Sequence, residues 1–156
     1  MDISNATKYL IKNLGEHVIL NRFIESEGYR LQSYNDTQGF WTIGIGHKLG
    51  KGDNYKNLKI TSEEAIEYFW DDFDVAVLNA WRHFPSLDIH PLHVEFAIVE
   101  MCFILGYTGF RRFKRTIAYI NNKNYSAAAT EIYDSLWATQ APNRVRSVSN
   151  LFLGRY

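Results

Sequence analysis

At 156 residues, with 46% apolar and 22% charged side chains, the chain has the length of one domain and a globular composition, which excludes disordered and collagen-like classes. Its formal net charge is zero, yet residues 61–110 hold nine acidic groups against one basic, and residues 111–156 hold eight basic against two acidic. A lone cysteine, Cys102, excludes an internal disulfide and reads as an inert core thiol.

The chain opens with helical periodicity over residues 6–28, where Leu10, Ile11, Leu14, Val18, Ile19, Phe23 and Ile24 recur at three- and four-residue steps. Gly15 can split this run and Gly28 can stop it. Lys8, Lys12, Glu16, His17 and Arg22 break any apolar signal core, so synthesis in a host cytoplasm without a signal peptide is expected. Residues 29–34 then read as a strand, Asn35 to Gly39 as a turn, and Phe40 to His47 as a second strand. On that second strand Trp41, Ile43, Ile45 and His47 share one face by the two-residue period, and Thr42, Gly44 and Gly46 share the other. So little bulk on one face predicts close approach by a ligand or another backbone.

Thr61-Ser62-Glu63-Glu64 has capping-box spacing and starts a long helix. Its predicted apolar stripe is Ile66, Phe69, Trp70, Phe73, Val77, Ala80, Trp81 and Phe84, ended by Pro85. Residues 92–105 are apolar nearly all round, as a buried central helix would be, with Gly106 as its cap. Glu100 interrupts its most apolar run, Phe96 to Leu105, which is too short to span a bilayer, so no membrane insertion is expected. Three shorter helices fit Arg112–Asn121, Ser126–Thr139 and Asn143–Leu153. The fold class is therefore α+β and mostly helical, with one small antiparallel sheet near the front.

Several residue groups invite a functional reading. His90, His93 and Glu95 have metal-ligand chemistry, but Pro91 interrupts them and they do not share a helical face, so no metal and no cofactor are expected. Arg111, Arg112, Lys114 and Arg115 read as a solvated basic helix start, and no nucleic-acid motif accompanies them. The tryptophans read as core, with Trp41 open to a sugar-facing role.

The segment from Glu27 to His47 carries the chemistry. Glu27 and Gly28 end the first helical run, Asp36, Thr37 and Gly39 form the turn, and Thr42, Gly44, Gly46 and His47 follow on the second strand. Folding the hairpin back toward the helix end can aim Glu27, Asp36 and the Thr42 hydroxyl at one cleft. Two carboxyl groups in a cleft are what acid–base cleavage of a glycosidic bond requires: one protonated to release the leaving oxygen, one ionised to activate water or support positive charge on the sugar.

With these residues and spacings the stretch from Ile24 to Leu49 resembles the active-site segment of the T-even phage lysozymes, glycoside hydrolase family 24. Thinner similarity continues through Thr61 to Val77, Met101 to Gly109, and Trp137 to Arg144, about 130 residues in all. The resemblance implies an extra N-terminal helix over about 1–16, an active-site helix and β lobe over 17–60, a connecting helix over 61–84 and a helical lobe over 85–156. It implies a muramidase that cuts the β-1,4 bond between N-acetylmuramic acid and N-acetylglucosamine in peptidoglycan with inversion, as a phage endolysin or wall-cutting effector. Glu27 would be the acid, while Asp36 and Thr42 would hold the attacking water. Gly46, Lys48, Phe103, Thr116 and Glu131 would meet substrate, and His47 with Asp72 would form a buried structural ion pair. A monomer is implied, delivered to the wall by a holin or a secretion partner. Ile104, Glu131 and Lys48 depart from the family's usual residues, and Ile104, Glu131 and the neutral charge motivate an alternative, a lysozyme-fold wall-binding or regulatory protein with weak or no turnover. The extra N-terminal helix is expected to pack on the helical lobe.

Overall fold

A computed structural model describes residues 3–156 of the chain. The chain divides into two compact units, the first running to Asp74 and the second from Val75 to Tyr156.

The first unit begins with two helices, α1 (Ile3–Leu14) and α2 (Glu16–Glu27), separated at Gly15. Ala6 and Leu10 of α1 are buried, and the Thr7 hydroxyl donates to Asp74 at 2.6 Å. The partners identified for the N-terminal helix thus lie within the first unit.

Next come three antiparallel strands, β1 (Arg30–Asn35), β2 (Trp41–Gly44) and β3 (His47–Gly50), in the order β1-β2-β3. The expected second strand is two strands, because the chain turns at Ile45 and Gly46. The single alternating face assigned to residues 41–47 therefore does not exist, and Thr42, Ile43, Gly44 and Ile45 are all buried. The lack of bulk at Gly44 has a structural use: a Cβ there would lie 3.5 Å from Ala65 Cα. Close approach occurs as predicted, by a helix backbone.

The long helix α3 (Ser62–His83) starts with the expected reciprocal cap. The Thr61 N–H donates to Glu64 Oε1 at 3.1 Å, and the Glu64 N–H donates to Thr61 Oγ1 at 3.2 Å. The boundary between the two units falls within this helix. Up to Asp74 its buried positions are Ala65, Phe69 and Phe73, and the Phe69 and Phe73 rings meet Phe23 of α2 at 5.2 and 5.9 Å between centroids. Ile66, expected in the stripe, is 38% exposed; Ala65 takes the inward position.

The second unit is helical. Its centre is α4 (Leu92–Arg111), buried from Val94 through Cys102. A helix of this length and composition could also cross a membrane by those criteria alone. Here it supplies the unit's core, and it is bent at Gly106, whose φ of 68° and ψ of 176° are non-helical. Gly106 therefore kinks the helix where a terminal cap was expected, since glycine alone adopts that conformation without cost. Around α4 lie α5 (Lys114–Asn121), α6 (Tyr125–Glu131), α7 (Leu136–Gln140) and α8 (Pro142–Phe152), with α8 packed on α4 and α5 on α6. The expected helix over 126–139 is two, because the Ser135 hydroxyl accepts the Ala138 N–H at 3.1 Å and starts a new one.

Candidate active site

Glu27 is the last residue of α2. Its side chain lies against Gly46: a Cβ built on that glycine would sit 2.8 Å from Glu27 Oε2 and 3.0 Å from Glu27 Cβ. Gly46 also has a φ of 69°, in the left-handed region that favours glycine. Bare backbone at this turn is thus what lets the acid side chain reach the sheet.

Asp36 closes the β1–β2 hairpin. Its Oδ1 accepts the N–H groups of Gln38 at 2.8 Å and Phe40 at 2.9 Å, while its own N–H donates to the Phe40 carbonyl at 2.8 Å. Asp36 is therefore a turn former in full. The turn fixes the carboxylate and leaves Oδ2 without a hydrogen-bond partner among the described residues. Turn-forming and chemical roles are compatible in one side chain, because they use different oxygens.

Thr42 sits on the central strand, opposite Tyr34 of β1 and Lys48 of β3. It is 5% exposed, and its hydroxyl has no hydrogen-bond partner among the described residues. Leaving such a group unpaired costs about 1–3 kcal/mol, so a bare buried hydroxyl is a candidate contact for something that binds. The strand register orders the three residues. Asn35, beside Asp36, pairs with Trp41 at one end of β2, and Gly46 with Glu27 follows the other end. Thr42 lies between.

Neighbouring groups buttress this arrangement. His47 Nδ1 lies 2.8 Å from Asp72 Oδ2, and the imidazole stacks on Tyr68 at 4.7 Å. The expected ion pair is therefore present, but about a quarter to a third of each side chain is exposed, so it is half-buried where a buried pair was expected. The hydrogen bond to Asp72 raises the imidazole pKa above its ordinary value against the opposing effect of burial. Lys48 is exposed, with its ammonium 5.1 Å from the Phe40 ring, and Lys51 approaches the same ring at 4.7 Å.

The other expected substrate residues belong to the second unit. Phe103 and Ile104 are half-buried on α4. Thr116 and Glu131 line a cavity of about 580 Å³, together with Arg112, Lys114, Arg115 and Trp137. Thr116 is 1% exposed, and among the described residues neither its hydroxyl nor the buried Trp137 indole N–H has a hydrogen-bond partner. Glu131 accepts Arg115 Nε at 3.2 Å. Sequence reasoning favours the core for Trp137 and a solvated helix start over phosphate binding for the basic run at 111–115. The structure places Trp137 and three of those four cations on the cavity. The residues of the weighed metal cluster have other partners: His90 Nδ1 meets the Tyr125 hydroxyl at 2.8 Å and His93 Nδ1 the Leu151 carbonyl at 2.7 Å.

The first unit thus carries one carboxyl against bare backbone, a second fixed by a turn and, on the strand beside them, a hydroxyl without a partner among the described residues. The sequence profile of the family described as phage lysozyme matches residues 24–150. The chain belongs to the phage lysozyme family. Among its relatives is a probable T4-type lysozyme of Dictyostelium discoideum, 32% identical over 146 residues, covering 78% of this chain and 85% of the relative. The endolysin of Salmonella phage P22 is 30% identical over 113 residues, covering 70% and 75%. A peptidoglycan hydrolase of Pseudomonas phage phiKMV is 30% identical over 121 residues; the match covers 78% of this chain but spans only 13% of that protein. The family match begins at residue 24, so α1 and most of α2 precede it. Glu27, Asp36 and Thr42 all fall inside the matched span of this phage lysozyme family member.

Proposed function

We infer that this lysozyme hydrolyses the β-1,4 bond between N-acetylmuramic acid and N-acetylglucosamine in bacterial peptidoglycan. Glu27 donates a proton to the leaving oxygen. Asp36, through the oxygen that the turn leaves unpaired, orients and activates a water, and the Thr42 hydroxyl holds that water from the strand between them. Water then attacks the sugar carbon from the face opposite the leaving group, and the product has the inverted configuration. Lysozyme, endolysin and peptidoglycan hydrolase are the names its relatives carry.

The observation that supports the reading most is the order along β2: a carboxyl at each end and a bare hydroxyl between them. A strand rises roughly 3.3 Å per residue, so two acids at opposite ends of a four-residue strand have room for a water between them. Inversion calls for a carboxyl separation of roughly 6.5–9.5 Å, wide enough to admit that water.

The test is Glu27→Gln, assayed by the release of reducing ends from purified peptidoglycan. Activity should fall by at least about a hundredfold, the usual worth of general acid catalysis, with the folded state retained by circular dichroism. Equal rates for variant and wild type would remove Glu27 from the acid role. Proton NMR of the first product should show the α anomer; a β anomer would overturn inversion.

A further inference from the structure

We propose that the cavity of the second unit reads a free carboxylate on the peptide that wall glycans carry, with Arg112 and Lys114 as the specificity-determining residues. This rests on the peptidoglycan reading above and gives it a finer substrate preference.

The cavity's charges are unequal in their commitments. Arg115 is tied to Glu131 at 3.2 Å, and Asp134 also lines the space. Arg112 and Lys114 line it as well, and neither has an ion-pair partner among the described residues. Both are exposed, so an arriving anion meets them without first breaking a bond. Thr116 and Trp137, 1% and 6% exposed, also line the cavity, and the Thr116 hydroxyl and the Trp137 indole N–H have no hydrogen-bond partner among the described residues. An indole N–H only donates, so its complement is an acceptor such as an amide carbonyl. Leu105, Phe113 and Leu136 supply apolar surface, with the Phe113 and Trp137 rings edge to face at 6.1 Å.

Acceptors for two buried donors, a short alkyl group for the apolar wall and a carboxylate for two uncommitted cations describe a short acidic peptide. A phosphate polymer fits less well, because Glu131 and Asp134 would repel its repeated charge. Guanidinium and ammonium groups prefer a carboxylate to the neutral amide that replaces it when the acid is amidated.

The experiment compares one peptidoglycan preparation with its carbodiimide-amidated form, using wild type and the double variant Arg112→Gln, Lys114→Gln. Two readouts are taken: the rate of reducing-end release, and co-sedimentation of the inactive Glu27→Gln chain with and without the double change. Wild type should lose on the order of tenfold in kcat/KM on amidated wall, mostly through KM, and the double variant should cut both walls at one rate. Bound Glu27→Gln should fall on amidated wall in parallel. Equal cutting and equal binding of both walls by chains with native cations would overturn the carboxylate reading. Loss of binding on stripping wall phosphate with hydrofluoric acid, but not on amidation, would also overturn it and assign the cations to a phosphate polymer. Should neither wall be cut, the muramidase reading fails, and the co-sedimentation difference still decides the carboxylate preference.

Discussion

At the scale of single residues, Gly46 shows how much of the site depends on an atom the chain leaves out. A methyl group there would occupy space within 3.1 Å of three Glu27 atoms and would force a left-handed backbone on alanine. The backbone cost alone is roughly 1–2 kcal/mol, and the displaced carboxyl adds a loss that stability does not measure. Gly46→Ala should therefore lower the melting temperature by a few degrees and reduce turnover by more than tenfold, read by melting and by reducing-end assay on the same preparation. Full activity in that variant would mean that the contact with Glu27 is not needed. The identity and spacing of Glu27, Asp36 and Thr42 were legible in the sequence. The geometry at Gly46 was not, because a flat alternating strand was assumed where the chain turns. Trp137 is buried as its bulk predicts, but its place on a cavity was not legible, because nothing in a sequence tells whether a buried indole N–H finds a partner.

At the scale of elements, periodicity succeeded where the apolar repeat is long and failed where two short elements abut. The α3 start was readable from four residues, because the capping box is a local hydrogen-bond pattern. The β2–β3 turn and the break between α6 and α7 were not, since each depends on one or two residues inside a continuing pattern. Helix α1 lies before the matched family span, and its contribution follows from burial. Ala6 and Leu10 leave water and Thr7 holds Asp74, which together are worth about 2–4 kcal/mol. Deleting residues 1–14 should lower the melting temperature by roughly 5–15 °C while leaving reducing-end release below the new transition within a few-fold of wild type. An unchanged melting temperature would show that α1 is not a structural part of the first unit.

At the scale of the whole molecule, stability depends on pH through a carboxyl on the central helix of the second unit. Glu95 is 5% exposed, and burial, with a smaller contribution from Asp88, pushes its carboxyl up to about 7. The folded state therefore holds this proton more tightly than the unfolded chain. Stability from this group is complete below about pH 4.5 and is lost as pH rises toward 7, by on the order of 2–3 kcal/mol. Glu95→Gln should flatten the fall in melting temperature between pH 5 and 8 and make the variant the more stable protein at pH 8. Identical slopes for variant and wild type would show that Glu95 does not control this dependence. The α+β class and the helical second unit were readable from periodicity alone; the titration was not, because a glutamate in an apolar helix does not disclose how far its oxygens are from water. Cys102 has a consequence of its own. Its thiol lies in the same helix, buried, and lack of solvent pushes its pKa up to about 12. An alkylating reagent can therefore reach this sulfur only when the second unit opens, so the labelling rate of a single atom serves as a built-in clock for how often that half of the protein comes apart.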